Sequence, residues 1–441
     1  MSLQQEILKS LGYEALTPMQ SEMYDKAPQS SGLVLLSPTG SGKTFAYLLP
    51  LLERIQASIE TLQGVIIVPT RELVQQIDDV LRSMKAPIRF VKLHGGRPTM
   101  EEHKRIKEVK PQVIITTPGR FLDHLQKENI NPFTVKNLII DEFDKCLELG
   151  FQGEMENILR YLKSVQQCWL MSATDSEEIP NFMHKVTPRF EKLDFSDQND
   201  DLSDRLTIKQ VTSPSKDKLE TLGELLNLIH GEPSIVFVAH RESVERVGNY
   251  LRSKGFFVSM YHGGLEQEIR ERALYKFRNG STNVLVSTDL AARGLDIPEV
   301  QAVIHYHLPL KKEDFVHRNG RTARWNSEGV IYLITSESER IPDFIEDFES
   351  IDLPKSPLKV IPPKYVTIYI GRGKKDKLSK GDILGFLCKK GGLKNSEIGR
   401  IDVGSHFSYA AILRSKVANA LKGISGEKIK GMKTLFEETK K

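Results

Sequence analysis

Ten short apolar runs, each closing on small or polar residues, constrain this chain more than any other feature. Five lie early: LVLLS (33–37), GVIIVPT (64–70), VIITT (113–117), NLIID (137–141) and CWLMSAT (168–174). Five follow: SIVFVA (234–239), FFVSMYH (256–262), NVLVST (283–288), AVIHYH (302–307) and GVIYLIT (329–335). Stretches of helical period stand between most of them, at 72–84, 152–164, 217–229 and 266–278. Strands that are apolar along their whole length and alternate with helices predict parallel α/β sheets covered on both faces.

The two sets are separated by DFSDQNDDLSDR (194–205), which is polar and reads as a linker. Two α/β domains are therefore expected rather than one ten-stranded sheet. A second break, DLPKSPLKVIPPKY (352–365), holds four prolines and should be extended. Beyond it, strand-like VTIYIG and SYAAIL mix with short helical stretches, enough for a small α+β domain. The expected boundaries are 1–198, 205–352 and 364–441, consistent with 441 residues being too many for one ordinary core.

Charge follows the same division. Residues 364–441 hold 18 Lys/Arg against 7 Asp/Glu, a net +11, so the first 363 carry −7 of the chain's total of +4. A basic module follows a mildly acidic body, and such a module attracts polyanions. No apolar run approaches the length of about 18 residues that a membrane span needs. The start, MSLQQEILKS, lacks the regions of a signal peptide. Cys146, Cys168 and Cys388 are odd in number and far apart, so neither a disulfide framework nor a Cys-x-x-Cys knuckle is expected. A reducing cytoplasm is the simple expectation.

Chemistry concentrates in two places of the first set. LLSPTGSGKTFAYLLP (35–50) reads as a strand, a glycine-rich turn and a helix start. Gly40 and Gly42 let backbone N–H groups close on phosphate oxygens, and the helix N-terminus adds its dipole. Lys43 would reach the β- and γ-phosphates and the Thr44 hydroxyl would sit on Mg²⁺. Ser37 stands where the pattern's first glycine is usual. In NLIIDEFDKCLELGF (137–151), Asp141, Glu142 and Asp144 crowd the end of an apolar strand. Asp141 there can give Mg²⁺ an oxygen ligand, and Glu142 can polarise a water in line with the γ-phosphate. In the second set, HRNGRTAR (317–324) spaces Arg318, Arg321 and Arg324 by three residues, a pattern suited to arginine fingers.

With these residues in view, positions 11–340 resemble the DEAD-box RNA helicases. GYEALTPMQ (12–20) is similar to the family's adenine-recognising segment, which implies Gln20 as adenine reader with Tyr13 as aromatic neighbour. SPTGSGKT (37–44) is similar to the first motif and implies that Ser37, Thr39, Gly40, Ser41, Gly42, Lys43 and Thr44 line the nucleotide. PTREL (69–73), Gly95–Gly96 and TPGR (117–120) resemble the RNA-backbone motifs, which implies RNA contacts from Pro69, Thr70, Arg71, Gly96, Thr117, Gly119 and Arg120. DEFD (141–144) stands in the place of the family's name motif, and SAT (172–174) follows, implying a coupling role for Asp144, Ser172 and Thr174. In the second set VFVAH, QEIR (267–270), STDLAARGLD (287–296) and HRNGRTAR keep the family order. The resemblance implies RNA or interface contacts from Arg270, Thr288 and Arg293, nucleotide contact from Asp296, a link between the two sites through His317, and catalytic fingers Arg321 and Arg324.

Four positions depart from the family's pattern. Phe143 replaces an alanine, Leu16 a proline and His307 an acid, and Leu3 stands about where an aromatic would pack on adenine. The tail, from YVTIYIGRGKKDK to SYAAIL, resembles the RNA-binding domain of DbpA-type helicases, whose fold is RNA-recognition-motif-like. In HFSYAA, Phe407 and Tyr409 share one strand face and either stack bases or belong to a core. The resemblance implies two tandem RecA-like domains and an RNA-recruiting module. Together these would form an ATP- and Mg²⁺-dependent monomer that separates short duplexes in structured, ribosomal RNA. An ATP-gated RNA clamp with little unwinding, and a phosphate-loop ATPase acting on DNA or protein, are the competing expectations.

Overall fold

The computed structural model describes residues 3–38, 40–95, 98–174, 179–196, 206–291, 297, 300–322, 328–354 and 359–439. Contacts divide the chain into two units, Met1–Ser203 forming the body of the first and Asp204–Arg293 with Ile297–Lys441 the second.

The first unit is built on seven strands: β1 (Gly32–Leu36), β2 (Gly64–Ile67), β3 (Phe90–Leu93), β4 (Val113–Thr116), β5 (Asn137–Ile140), β6 (Gln167–Ser172) and β7 (Glu191–Asp194). They pair in parallel in the order β3-β4-β2-β5-β6-β1-β7. Alternate residues of one strand enter different cores: Ile66 joins Tyr47, Ile77 and Met23, whereas Val65 and Ile67 join Phe121, Phe143 and Met155. Burial on both faces explains why these strands read as unbroken apolar runs.

The second unit repeats the arrangement with β8 (Leu206–Ser213), β9 (Ser234–Phe237), β10 (Val258–Tyr261), β11 (Val284–Ser287), β12 (Ala302–His305), β13 (Gly329–Ser336) and β14 (Phe348–Ser350). Their order, β10-β11-β9-β12-β13-β8-β14, has the same connectivity as the first sheet, strand for strand. The expected helices are present as Arg71–Met84, Gln152–Tyr161, Leu219–Leu228 and Gln267–Arg278. At the sheet edges the apolar signal fades. β3 and β10 lie on one edge of their sheets and β7 and β14 on the other; β7 and β14 carry few apolar residues, β3 is short and interrupted by Lys92, and none of these three matches one of the ten runs. β8 is half-buried over much of its length, with Thr207 and Thr212 exposed, and has no run either.

The C-terminal domain is an antiparallel sheet of β15 (Tyr365–Ile370), β16 (Ile398–Val403), β17 (Ser408–Leu413) and β20 (Phe436–Glu438), in the order β16-β17-β15-β20. A small hairpin, β18 (Lys428–Ile429) with β19 (Met432–Lys433), stands beside it. Val366, Ile368, Ile370, Ala410 and Ile412 point into a core completed by Ile383, Leu387, Ala420 and Ile424 of two helices.

The opposite face of this sheet rests on the helix Gln267–Arg278 and the turn after it, within the same unit. Tyr409 packs on Tyr275 with ring centroids 5.1 Å apart, and Thr367 Oγ1 accepts a hydrogen bond from Asn279 Nδ2 at 2.8 Å. The Arg414 guanidinium lies 4.6 Å from the centre of the Phe257 ring. The proline-rich connection is also seated, with Lys359 N donating to Asn227 Oδ1 at 2.7 Å and Asn283 Nδ2 to the Ile361 carbonyl at 3.4 Å. Among the described residues no helix is long and apolar enough to cross a membrane.

Candidate nucleotide and RNA site

In open parallel sheets ligands gather beyond the carboxyl ends of the strands, where the connections turn. β1 ends there at Leu36, Ser37 opens the loop, and the chain returns as the helix Lys43–Arg54. Gly40 and Gly42 take φ of +85° and +92°, a region that side chains disfavour. A Cβ on Gly42 would also stand 2.6 Å from Gln20 Nε2, so glycine is needed there twice over. Ser37 Oγ donates to Ser41 Oγ at 2.6 Å and closes the loop on itself.

Lys43 folds back over this loop. Its Nζ donates to the carbonyls of Ser37, Pro38 (3.2 Å) and Ser172 (3.3 Å). Burial pulls its pKa below the ordinary lysine value, and the nearby Asp141, Asp144 and Glu142 oppose that shift. The ammonium is therefore held in a loop of neutral acceptors, with acids nearby.

Asp141 directly follows β5 and is 4% exposed. Its Oδ1 accepts the Glu142 N–H at 2.9 Å and its Oδ2 accepts the Tyr47 hydroxyl at 3.0 Å. Burial raises its pKa, while Lys43 and Tyr47 act to lower it. Glu142 is in the left-handed region, with φ 49° and ψ 52°, and caps the helix Phe143–Glu148. Such a backbone is uncommon for a residue with a side chain and marks a sharp strand-to-helix turn. Phe143 is 2% exposed inside the core beneath the sheet, so the family's alanine is replaced here by a packed ring. Asp144 Oδ2 accepts from Thr174 Oγ1 at 2.9 Å, and Ser172 Oγ donates to the Thr174 carbonyl at 2.6 Å. The acids, the serine–threonine segment and the phosphate loop thus form one connected network.

Gln20 sits in a capping box: its Oε1 accepts from Thr17 N at 3.0 Å and its own N–H reaches Thr17 Oγ1 at 3.4 Å. Its Nε2 reaches the Gly42 carbonyl at 3.5 Å. Tyr13 is exposed, with its ring 5.8 Å from Phe45. Leu3 and Leu16 pack against the nearby core.

The RNA-type motifs follow neighbouring strands. β2 and β4 pair with Ile67 opposite Thr116. Past Pro69 the first chain is capped by Thr70, which accepts from Leu73 N at 3.3 Å, and the second begins its helix at Thr117. Two helix N-termini therefore open at one edge of the sheet, a geometry suited to phosphates. The Arg71 guanidinium lies so close to Gly95 that a Cβ there would stand 2.7 Å from it. Gly119 is open, with no atom within 4 Å of an added Cβ. Arg120 turns inward, pairing with Glu102 at 3.1 Å and donating to Thr99 Oγ1 at 2.5 Å.

In the second unit His317, Arg318 and Arg321 are buried at the end of the helix Lys312–Asn319. Arg318 is locked on Asp289 at 2.5 and 3.1 Å and on the His307 carbonyl at 2.8 Å, which gives it a structural duty rather than that of a finger. Thr288 follows β11 directly, and Arg270 stands in the first turn of its helix, bonded to Gln267. Thr39, Gly96, Arg293, Asp296 and Arg324 lie outside the described residues. Sequence reasoning missed Tyr47, whose hydroxyl bonds Asp141, and the pair of His305 with Asn319 at 2.9 Å that backs Arg318. Nothing in either stretch of sequence marks those contacts.

Comparison with known proteins agrees with this architecture. Residues 17–182 match the DEAD/DEAH box helicase model, 217–326 the helicase conserved C-terminal domain and 367–438 the DbpA RNA binding domain. The ATP-dependent RNA helicase DbpA of Escherichia coli (strain K12) is 33% identical over 436 residues, covering 96% of this chain and 94% of that protein. The ATP-dependent rRNA helicase rrp3 of Emericella nidulans is 35% identical over 79% of this chain and 76% of its own length. Among solved structures, S. cerevisiae Dbp5 bound to RNA and ADP BeF3 is 26% identical, with a TM-score of 0.69 over 79% of this chain and 93% of that one. The chain belongs to the DEAD-box ATP-dependent RNA helicases and is of the DbpA type, with two RecA-like domains and a DbpA RNA-binding domain. It is an RNA-dependent ATPase that uses ATP and binds RNA.

Proposed function

We propose that this protein separates short duplexes in structured, ribosomal RNA by local strand opening, with residues 1–198 as the ATP-binding domain, 205–352 as its partner and 364–441 as the recruiting domain. The observation that carries the reading is the buried network joining the phosphate loop to Asp141, Glu142 and Asp144. Backbone amides around Ser37, Thr39, Gly40, Ser41 and Gly42 hold the phosphates, Lys43 swings from its carbonyls to the β- and γ-oxygens, and Gln20 and Tyr13 hold the adenine.

The donors beside the phosphate loop suit Mg²⁺. Thr44 and Asp141 offer oxygen alone, and a hard cation that keeps several waters needs no more than one or two protein oxygens. When bound, Mg²⁺ supplies neutralising charge at the β- and γ-phosphates. Glu142, aimed by its left-handed backbone, takes up a proton from the attacking water. Arg321 and Arg324 meet the developing charge, assisted by His317 and Asp296. Asp144, Ser172 and Thr174 transmit the state of the cleft to RNA. Pro69, Thr70, Arg71, Gly96, Thr117 and Gly119 hold the RNA backbone with Arg270, Thr288 and Arg293. Arg120 shapes its loop from beneath.

Ribosomal RNA is favoured by the match to the DbpA RNA binding domain and by the rRNA helicases among the relatives. Three free cysteines suit a reducing cytoplasm. The test is ATP hydrolysis and release of one strand from a short duplex, with RNA and with DNA of the same sequence. RNA alone should stimulate both, because only RNA presents 2′-hydroxyls. Equal stimulation by DNA would overturn the reading.

A further inference from the structure

Tyr47 lies one helical turn after Thr44 on the helix Lys43–Arg54 and is 0% exposed. A phenol buried this deeply needs a hydrogen-bond partner. Its hydroxyl has one in Asp141 Oδ2, at 3.0 Å. Asp141 is one of the two oxygen donors assigned to Mg²⁺, and Thr44, the other, stands on the same helix as Tyr47, so a role for Tyr47 at the metal rests on that assignment.

Proton counting sets the direction of this bond. An ionised carboxylate can only accept, so the Tyr47 hydroxyl donates to Asp141. The other Asp141 oxygen is fixed by the Glu142 N–H at 2.9 Å. Lys43 donates to carbonyls of Ser37, Pro38 and Ser172, and among the described residues Tyr47 is the side chain that hydrogen-bonds the Asp141 carboxylate.

We propose that Tyr47 is a positioning residue for the metal site. Its hydroxyl turns the free lone pairs of Asp141 toward the Mg²⁺. Outer-shell groups of this kind are worth about 10- to 100-fold in metal affinity.

The experiment uses the full-length protein without RNA and without turnover. Binding of a fluorescent ATP analogue is followed as Mg²⁺ is titrated, and again in EDTA, for wild type, Tyr47→Phe and Asp141→Asn. Tyr47→Phe should raise the half-saturating Mg²⁺ about tenfold while leaving affinity in EDTA unchanged. That unchanged affinity also reports an intact fold. An unmoved Mg²⁺ midpoint would overturn the proposal, and so would a loss of affinity in EDTA as large as that in Mg²⁺, which marks a packing role. The Asp141→Asn arm separates the two levels. If it moves the midpoint and Tyr47→Phe does not, the metal site stands and Tyr47 is removed from it. If neither moves it, the Mg²⁺ assignment itself falls and takes this proposal with it.

Discussion

The two seven-stranded sheets share one connectivity, yet their equivalent positions are filled for different work. Lys43 and Lys218 both stand at the start of the helix that follows the first strand of their sheet. Each ammonium reaches the next strand over, Lys43 at the Ser172 carbonyl of β6 and Lys218 at the Ile334 carbonyl of β13. Lys218 is then satisfied by Glu339 at 2.9 and 3.1 Å and by the Tyr306 ring at 5.3 Å. Lys43 holds neutral carbonyls that a phosphate, as a charged acceptor, can displace. After the central strand the first sheet has Asp141 and Glu142, whereas the second has Tyr306 and His307. Burial takes the His307 imidazole down to about 4, and its Nδ1 accepts the Ala239 N–H at 3.1 Å. The first sheet sets its lysine against neutral acceptors beside acids. The other neutralises its lysine internally.

The largest effect expected from this contrast is at Glu142. Glu142→Gln should lower single-turnover ATP hydrolysis by about 100- to 10,000-fold with ATP binding retained. The matching change in the second sheet, His307→Gln, should move turnover far less. Hydrolysis by Glu142→Gln within about threefold of wild type would remove the distinction.

Phe143 separates packing from chemistry within the first sheet. With 2% exposure in the core beneath Asp141, its loss leaves a cavity, so Phe143→Ala should cost about 3–5 kcal/mol of stability, read from denaturant unfolding. Hydrolysis per folded molecule should stay within about tenfold, since the side chain neither binds metal nor moves a proton. A stability change below about 1 kcal/mol would show that the ring is not packed in this core.

Acid should strain the second unit through His305, which burial and Arg318 bring down to about 3. In the unfolded chain a histidine takes up its proton near pH 6.5. Below that value the unfolded state binds more protons, so the stability held at neutral pH is lost as pH falls toward about 3. The slope is at most about 1.4 kcal/mol per pH unit for this imidazole, with a smaller share from the more solvated His307. Hydrogen exchange of β12 against β5 between pH 7 and 5, corrected for intrinsic rates, should reveal the asymmetry. Equal loss of protection in both would refute it.

The smallest effect expected is at the seam of the C-terminal domain. Thr367→Val leaves Asn279 without its 2.8 Å partner and should cost about 1–2 kcal/mol of protection in β15. No change there would argue against the seated sheet.

Burial decides how much of the fold the sequence made legible. Central strands such as β2 and β5 are covered on both faces, so their apolar runs identify them. β7 has one buried residue, Leu193, and β14 has none, so periodicity could not mark either. The phosphate loop and the acids were readable because their chemistry demands particular residues at short spacing. Tyr409 was not: its strand face left base stacking and core packing equally open. The partner that decides the matter, Tyr275, stands 134 positions earlier. The inward turn of Arg120 depends in the same way on Glu102, which no local pattern connects to it.

The division of labour between the two lysines is tested most directly by nucleotide affinity. A fluorescent ATP analogue is titrated against full-length protein carrying Lys43→Ala or Lys218→Ala, with Mg²⁺ present. Loss of a charge-assisted contact to phosphate should weaken binding by about 10- to 100-fold in Lys43→Ala, and Lys218→Ala should stay within about twofold of wild type. Comparable losses in the two variants, or wild-type affinity in Lys43→Ala, would contradict the account.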